Sequence, residues 1–206
     1  MKVFLVNGSP HQHGCTDRAL REVASALQAD GVEAEIFWIG NQPIGGCIGC
    51  GACRKLGRCA FEGPVNEFAA RLDEADGFVF GSPVHFAAAS GNMTSFLDRL
   101  FYSAGGKLAG KPAAVVTSAR RAGTTATYDQ LLKYPGICQM PVISSCYWNM
   151  VHGASAADVE QDLEGLCTMR VLGHNMAYFL KCIEAGRAAG VPLPPEEPAV
   201  RTNFIR

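Results

Sequence analysis

The chain has 206 residues, of which 48% are hydrophobic and 18% charged, and its formal net charge is −1. This composition indicates a globular protein with enough apolar material for a core, organised as one domain with or without a tail. A near-neutral chain gives no electrostatic reason to expect nucleic acid or an anionic membrane as a partner. The first apolar run, 2–6, is too short for a signal peptide and no stretch reaches transmembrane length, so we expect a cytoplasmic protein.

Short apolar runs predict five strands, and amphipathic patterns predict helices between them. The predicted strands cover 2–6, 33–39, 77–81, 112–117 and 140–144. The predicted helices cover 20–27 with Thr16 as N-cap, 65–72, 93–101, 125–132 and 163–183. We expect residues 1–190 to form a single domain with a cysteine-rich insert at 45–61, followed by an extended Pro-rich tail over 191–206.

Strands that alternate with helices predict a parallel sheet covered by helices on both faces. Ligands of such sheets bind beyond the carboxyl ends of the strands, so the loops after the strands are the candidate sites. The loop at 8–16 joins hydroxyls and imidazoles to a helix N-terminus, which is a phosphate cradle without a lysine. The chain has no Gly-x-Gly-x-x-Gly fingerprint, and a plain N-capping turn is the alternative.

Two further loops carry groups that suit a flat, anionic ligand. The loop at 81–86 combines a proline-stiffened turn with His85 and Phe86, although a lone histidine there is also compatible with an ordinary surface residue. The loop at 118–125 contains Arg120 and Arg121, which can stabilise an anion or stack on a ring, or simply form a solvated turn.

A sequence that resembles a nucleotide-binding loop is rejected. Residues 105–111 match Gly-x-x-x-x-Gly-Lys, but Pro112 stands where a magnesium-binding hydroxyl is needed. The segment also precedes a predicted strand, whereas a P-loop follows a strand and opens a helix. We therefore expect no nucleotide site there.

Cysteine is unusually frequent, and an odd number of cysteines in a chain expected to lack a leader favours reduced thiols or metal ligands over disulfides. Four cysteines fall within thirteen residues: Cys47, Cys50, Cys53 and Cys59. They form the ligand set of a [4Fe–4S] cluster or a structural zinc, and free thiols remain an alternative. Three cations in the same segment would offset the charge of a thiolate-ligated cluster: Arg54, Lys55 and Arg58. The remaining scattered cysteines read as core or surface thiols: Cys138, Cys146, Cys167 and Cys182.

Over about residues 1–145, the motifs Gly-Ser-Pro at 8–10, Ser-Pro-Val-His-Phe at 82–86 and Arg-Arg-x-Gly at 120–123 resemble the flavodoxin-like FMN reductases. The four-cysteine spacing resembles the iron–sulfur flavoproteins within that group. The resemblance implies a doubly wound five-stranded sheet of order 2-1-3-4-5, with FMN at the point where strand order reverses. The FMN phosphate would lie on Ser9, His11, Cys15 and Thr16. The FMN ring system would lie near Ser82, Pro83, Val84, His85, Phe86, Ser118, Arg120, Arg121 and Gly123.

Two positions depart from the family pattern, which has arginine where His11 stands and asparagine where Cys15 stands. The resemblance also implies a homodimer or homotetramer. The loop at 145–153 is aromatic, and two readings stay open: it walls the flavin pocket, in its own subunit or a partner's, or it packs against the long C-terminal helix.

The sequence therefore predicts an FMN-dependent oxidoreductase that passes electrons from NAD(P)H to a small acceptor such as a quinone. No catalytic acid or base is required, because the flavin performs the chemistry. We expect nicotinamide and acceptor to use one ring face in turn, with His85, Phe86 and Trp148 as candidate walls. A second hypothesis is an electron carrier whose cluster relays electrons between a ferredoxin-like donor and FMN. A third is a sensor with this fold and no working FMN site.

Overall fold

The computed structural model describes residues 1–195, 197, 198, 200, 202 and 204. Its strands are β1 (Lys2–Asn7), β2 (Glu33–Trp38), β3 (Gly77–His85), β4 (Ala88–Ala89), β5 (Ala113–Ala119) and β6 (Met150–His152). Its α-helices are α1 (Cys15–Ala29), α2 (Cys53–Leu56), α3 (Pro64–Ala69), α4 (Gly91–Ala104), α5 (Thr124–Ile137), α6 (Ala156–Val159) and α7 (Leu163–Ala188).

The main strands form a parallel sheet in the order β2-β1-β3-β5-β6, and the short β4 pairs antiparallel with the end of β3. The predicted order of a five-stranded flavodoxin-like sheet is confirmed. The chain runs outward from β1 to β2 on one side and returns to β3 on the other side of β1. The loops after β1 and β3 therefore diverge and leave a crevice at the carboxyl edge of the sheet.

Each face of the sheet carries its own apolar core, because side chains alternate along every strand. On one face, Phe4 meets Phe68 of α3 at a ring-centroid distance of 5.4 Å, and Phe96 of α4 joins the same cluster. On the other face, Leu5 packs in a cluster with Leu20 of α1 and with side chains of α7. The long C-terminal helix predicted from the sequence is confirmed, and it covers the same face as α1.

The predicted position of the fifth strand, 140–144, is wrong. This segment makes only an isolated parallel bridge, between Val142 and Ala113, and the paired strand is β6 at 150–152. The residues between them leave the sheet edge and bond to α7 instead: Ser145 Oγ donates to the carbonyl of Thr168 over 2.6 Å. The backbone rejoins the sheet beside β5 at Asn149, whose carbonyl accepts the Thr117 N–H over 2.9 Å.

Other boundaries differ in smaller ways. The prediction of Thr16 as N-cap of α1 is wrong, because Gly14 occupies that position and Thr16 lies inside the first turn. Within the predicted tail, residues 196, 199, 201, 203, 205 and 206 lie outside the described residues, and the described ones belong to no helix or strand. In the part of the chain that is described, no helix has both the length and the apolar character of a membrane span.

Candidate functional site

A cavity of about 560 Å³ opens at the carboxyl edge of the sheet, where the loops after β1, β3, β5 and β6 meet. Nine of the thirteen residues predicted for the cofactor line it: Ser9, His11, Cys15, Thr16, Pro83, Val84, His85, Ser118 and Arg120. These residues are brought together from loops more than 100 positions apart because parallel strands end at one edge. The cavity lies where the strand order reverses.

Four predicted residues do not line this cavity. Ser82 is buried, donates its hydroxyl to the Pro83 carbonyl over 2.9 Å and accepts the N–H of Ser90 over 3.0 Å, so it fixes the start of α4. Phe86 is fully exposed at the tip between β3 and β4. Arg121 is also exposed, and Gly123 is the N-cap of α5. These residues border the cavity without forming its wall.

The first loop is held by its own hydrogen bonds. Asn7 Oδ1 accepts the N–H of Ser9 over 3.0 Å, and Asn7 Nδ2 donates to the Gln12 carbonyl over 3.1 Å. Ser9 Oγ accepts the N–H of His11 over 3.1 Å, while its carbonyl accepts the Trp38 indole over 2.8 Å. The loop is therefore shaped before any ligand arrives.

The N-terminus of α1 faces the cavity without a side-chain cap, because Gly14 has no acceptor to offer its first N–H groups. A Cβ at Gly14 would lie 3.1 Å from the His11 Cβ, so glycine also allows the loop to close tightly. Thr16 Oγ1 and Ser118 Oγ are hydrogen bonded over 2.8 Å, which joins the first turn of α1 to the end of β5. Unpaired N–H groups at a helix start are a binding site for a phosphate.

The charges around the cavity are compatible with an anion. His11, His13 and Arg120 are among its lining residues. Burial raises the pKa of the Cys15 thiol, and the negative charge of Asp158 acts in the same direction. Cys15 Sγ donates to the Gly153 carbonyl over 3.3 Å, so the thiol is protonated and adds no negative charge to the cavity.

The turn between β3 and β4 is strained and tightly packed. Phe86 and Ala87 have φ values of 51° and 58°, a left-handed conformation that is rare for residues with a Cβ. A Cβ at Gly123, whose φ is 95°, would lie 2.7 Å from the Ala87 Cα. Only glycine lets the start of α5 approach the turn this closely. Strain of this kind concentrates at ligand-binding sites.

The sequence prediction missed part of the wall. His13 and Gly14 lie within the first loop, and residues 154–156 follow Gly153, the last residue of the predicted aromatic loop, into the cavity after β6. Residues 154–156 were missed because the fifth strand was predicted to end about eight residues before the end of β6. The Ser155 capping box at the start of α6 was the available signal: Ser155 Oγ accepts the N–H of Asp158 over 3.2 Å.

The aromatic side chains of the loop at 145–153 lie away from this cavity, although its last residue, Gly153, lines it. Tyr147 and Trp148 are about half exposed, and neither lines the cavity in the described chain. The loop is bonded to α7, since Asn175 Nδ2 donates to the Ser144 carbonyl over 2.8 Å. Within one subunit, the arrangement is that of a loop packed against the C-terminal helix.

The four-cysteine segment lies against α4 and lines a separate cavity of about 110 Å³. Gly49, Gly51 and Gly57 have φ values of 67°, 68° and 68°, conformations that suit glycine and let the backbone wind around the thiols. The four cysteines share this cavity with Arg99, Tyr102 and Ser103. Cys53 Sγ donates to the Tyr102 carbonyl over 3.7 Å, whereas Cys59 is buried.

Within the described residues, no three thiols, imidazoles or carboxylates are grouped closely enough to hold a metal ion. The chemistry of the donors nevertheless fits a thiolate-ligated metal or cluster, because four soft ligands line one cavity beside a buried cation. The scattered cysteines lie elsewhere. Cys138 packs against the core cluster that contains Phe4 and Phe68, and three others are exposed: Cys146, Cys167 and Cys182.

Fold and cavity together define a flavodoxin-like protein with a site suited to a phosphate-bearing ligand. The model of the NADPH-dependent FMN reductase family matches residues 1–155. An iron–sulfur flavoprotein of Methanocaldococcus jannaschii is 30% identical over 194 residues, which cover 89% of this chain and 100% of that protein. The chain therefore belongs to the NADPH-dependent FMN reductase family, and it is an FMN-dependent oxidoreductase.

Solved structures show the same fold. A flavodoxin-like, WrbA-like protein of Agrobacterium tumefaciens has a TM-score of 0.63 and 19% identity, covering 88% of this chain and 98% of that one. RosB, solved with a bound 8-demethyl-8-formylriboflavin-5'-phosphate, has a TM-score of 0.70 and 14% identity, covering 100% of this chain and 92% of that one.

Proposed function

We propose that FMN binds in the cavity at the carboxyl edge of the sheet, with its phosphate at the N-terminus of α1. The observation that carries this proposal is the uncapped helix start, which opens on a cavity lined by the Ser9, Thr16 and Ser118 hydroxyls. RosB, which has the same fold, was solved with a flavin phosphate, and this supports a ligand of that class here.

The chain's own residues then bind and orient the cofactor. The N–H groups of α1 and the hydroxyls around them hold the phosphate, and His11 and His13 lie beside it. Pro83 and Val84 offer apolar surface for a ring system, with His85 at the rim. Bound there, FMN would supply the hydride and electron transfer between a nicotinamide and a second substrate, so the protein would need no acid or base of its own.

We propose NAD(P)H as the electron donor and a small molecule such as a quinone as the acceptor. The name of the matching family supports NADPH. His85 and Arg120 line the cavity and are exposed. This exposure supports access of a second flat molecule to a bound ring, which an enzyme that uses donor and acceptor in turn requires. A homodimer or homotetramer is proposed as its assembly.

A second candidate function is electron carriage between a ferredoxin-like donor and FMN. It is favoured by the four-cysteine cavity and by the name of the archaeal relative, an iron–sulfur flavoprotein. In this function the cysteine segment holds a [4Fe–4S] cluster, and structural zinc or free thiols are the competing occupancies. An absorption spectrum and an iron assay on anaerobically purified protein distinguish the three.

One anaerobic stopped-flow experiment separates the two functions. The protein loaded with FMN is mixed with NADPH, with NADH or with a chemically reduced ferredoxin, and the absorbance of the oxidised flavin is followed. We expect rapid bleaching by NADPH. If neither nicotinamide bleaches the flavin while the ferredoxin does, the reductase proposal is wrong and the carrier is supported.

A further inference from the structure

Arg99 is a buried cation on α4, directly beneath the four-cysteine segment. Its side chain is 5% exposed, and its guanidinium has four acceptors within the described residues. Three of them are backbone carbonyls, and the fourth is the sulfur of Cys59, 3.2 Å from Arg99 Nε. None of these acceptors is a carboxylate.

The nearby carboxylates are engaged elsewhere. Glu62 Oε1 accepts from Arg58 Nη1 over 2.6 Å, and Asp98 Oδ1 accepts from the Tyr134 hydroxyl over 2.6 Å. Besides these acceptors, the guanidinium lies over the Phe61 ring, with 5.7 Å from Arg99 Cζ to the ring centroid. Carbonyls and a ring face offset the charge only in part, and a buried cation without an anionic partner is costly in a protein interior. The atom near Arg99 that can carry a compensating negative charge is the sulfur of Cys59.

The other three contacts hold the ends of the cysteine segment. Arg99 donates to the carbonyl of Gly45 at its start, and to those of Phe61 and Glu62 at its end. The Asn66 side chain fixes the same end, because its Oδ1 accepts the Cys59 N–H over 3.1 Å and its Nδ2 donates to the Cys59 carbonyl over 3.0 Å. Cys59 is thus the most firmly positioned of the four thiols.

We propose that Arg99 is the positioning residue and counter-charge of a metal–thiolate centre in this segment, donating a hydrogen bond from Nε to the ligand sulfur of Cys59. This inference rests on the metal centre of the proposed function. A thiolate-ligated centre is anionic, and donors to its sulfurs orient the ligand and set the properties of the metal. Arg99 supplies both the donor and the charge from a rigid helix.

The test uses Co²⁺ as a probe on FMN-loaded protein freed of other metals. A bound cobalt–thiolate centre gives a sulfur-to-metal charge-transfer band, whose energy falls when a hydrogen bond to the sulfur is lost. We compare wild type with Arg99→Gln, Arg99→Lys and, as a matched control, Arg58→Gln. Arg58 belongs to the same segment, but it is exposed and bonds Glu62 rather than sulfur.

We expect Arg99→Gln to weaken Co²⁺ binding by about 10–100-fold and to move the band to lower energy. Arg99→Lys should recover part of the affinity, because it keeps the charge. Arg58→Gln removes an exposed charge that solvent screens, so it should change the affinity by no more than about 2-fold and leave the band unchanged. FMN uptake reports folding in each variant. If Arg99→Gln does not fold, Arg99→Lys still tests the proposal. Lysine cannot reproduce the guanidinium geometry, so the charge-transfer band of the Arg99→Lys variant must shift.

Two results overturn the inference, and they are distinguishable. If wild type and both Arg99 variants bind Co²⁺ equally with unchanged bands, Arg99 has no role at the sulfur although the metal centre exists. If wild type takes up neither Co²⁺ nor iron while binding FMN normally, the metal centre itself is wrong, and the inference falls with it.

Discussion

At the scale of single residues, the cavity differs from the family pattern in its charge. The family resemblance implies arginine where His11 stands and asparagine where Cys15 stands, so this chain has an imidazole and a thiol in place of the expected cation and amide. The Cys15 thiol is half-buried, and its hydrogen bond to the Gly153 carbonyl requires the proton to remain on sulfur. A protonated thiol is a weak nucleophile and does not repel a phosphate.

This gives a prediction about pH. Because the pKa of Cys15 is raised by burial, its reactive thiolate forms only above the ordinary thiol range, which is near pH 8.5. Alkylation of Cys15 by iodoacetamide should therefore be slow at pH 7, should increase later than for an exposed thiol as pH rises, and should be blocked by FMN. Mass spectrometry of peptides measures it, with the exposed Cys167 as internal control. Reaction of Cys15 that is fast at pH 7, or unaffected by FMN, would contradict the site.

The sequence identified most of the cavity because chemistry-bearing residues cluster after apolar strands. It did not show which way each side chain points. Ser82 and Phe86 flank the residues that line the cavity, yet one is buried under α4 and the other projects into solvent. That choice depends on the pairing of β3 with β4 and on the close approach of Gly123, and neither is visible in one stretch of chain.

At the scale of elements, apolar runs located β1, β2, β3 and β5 but not the edge strand β6. Residues 140–144 are more apolar than residues 150–152. However, Pro141 has no N–H to donate to a neighbouring strand. Residues 140–144 therefore pair with β5 only through an isolated bridge at Ala113. An edge strand pairs on one side only, so tertiary contacts of the loop with α7 decide where pairing resumes. Local hydrophobicity carries no record of those contacts.

The packing of α1 on α7 gives a prediction at this scale. A Cβ at Gly173 would lie 2.6 Å from the Ala26 Cβ and 2.7 Å from the Val23 carbonyl oxygen. Gly173→Ala should therefore destabilise the fold by roughly 1–3 kcal/mol, since overpacking outweighs the gain in helix propensity. Gly186→Ala is the matched control in the same helix, with no atom nearer than 3.9 Å, and should stabilise by about 0.5–1 kcal/mol. Urea unfolding measures both, and a Gly173→Ala variant as stable as wild type would refute the close packing.

At the scale of the whole molecule, α4 lies between the two sites. Its N-cap Ser90 donates its hydroxyl to the Gly8 carbonyl over 2.8 Å, at the base of the first cavity loop. Near the start of α4, Asn92 Oδ1 accepts the N–H of Ile44 over 3.1 Å. Ile44 directly precedes the cysteine segment. Arg99, two turns later, reaches Cys59. The two sites thus share a rigid helix but no lining residue.

This separation predicts that the sites can be uncoupled. A variant with serine at all four positions of the segment, Cys47, Cys50, Cys53 and Cys59, should lose metal and the transfer of electrons to or from a ferredoxin. Its FMN affinity should stay within about 2-fold of wild type, because the cavity wall and the Ser90 and Asn92 bonds are unchanged. FMN titration by fluorescence and steady-state quinone reduction with NADPH measure the two functions side by side. Loss of FMN from this variant would show that the cysteine segment supports the flavin cavity, whereas quinone reduction at the wild-type rate would place the reductase reaction at the flavin alone.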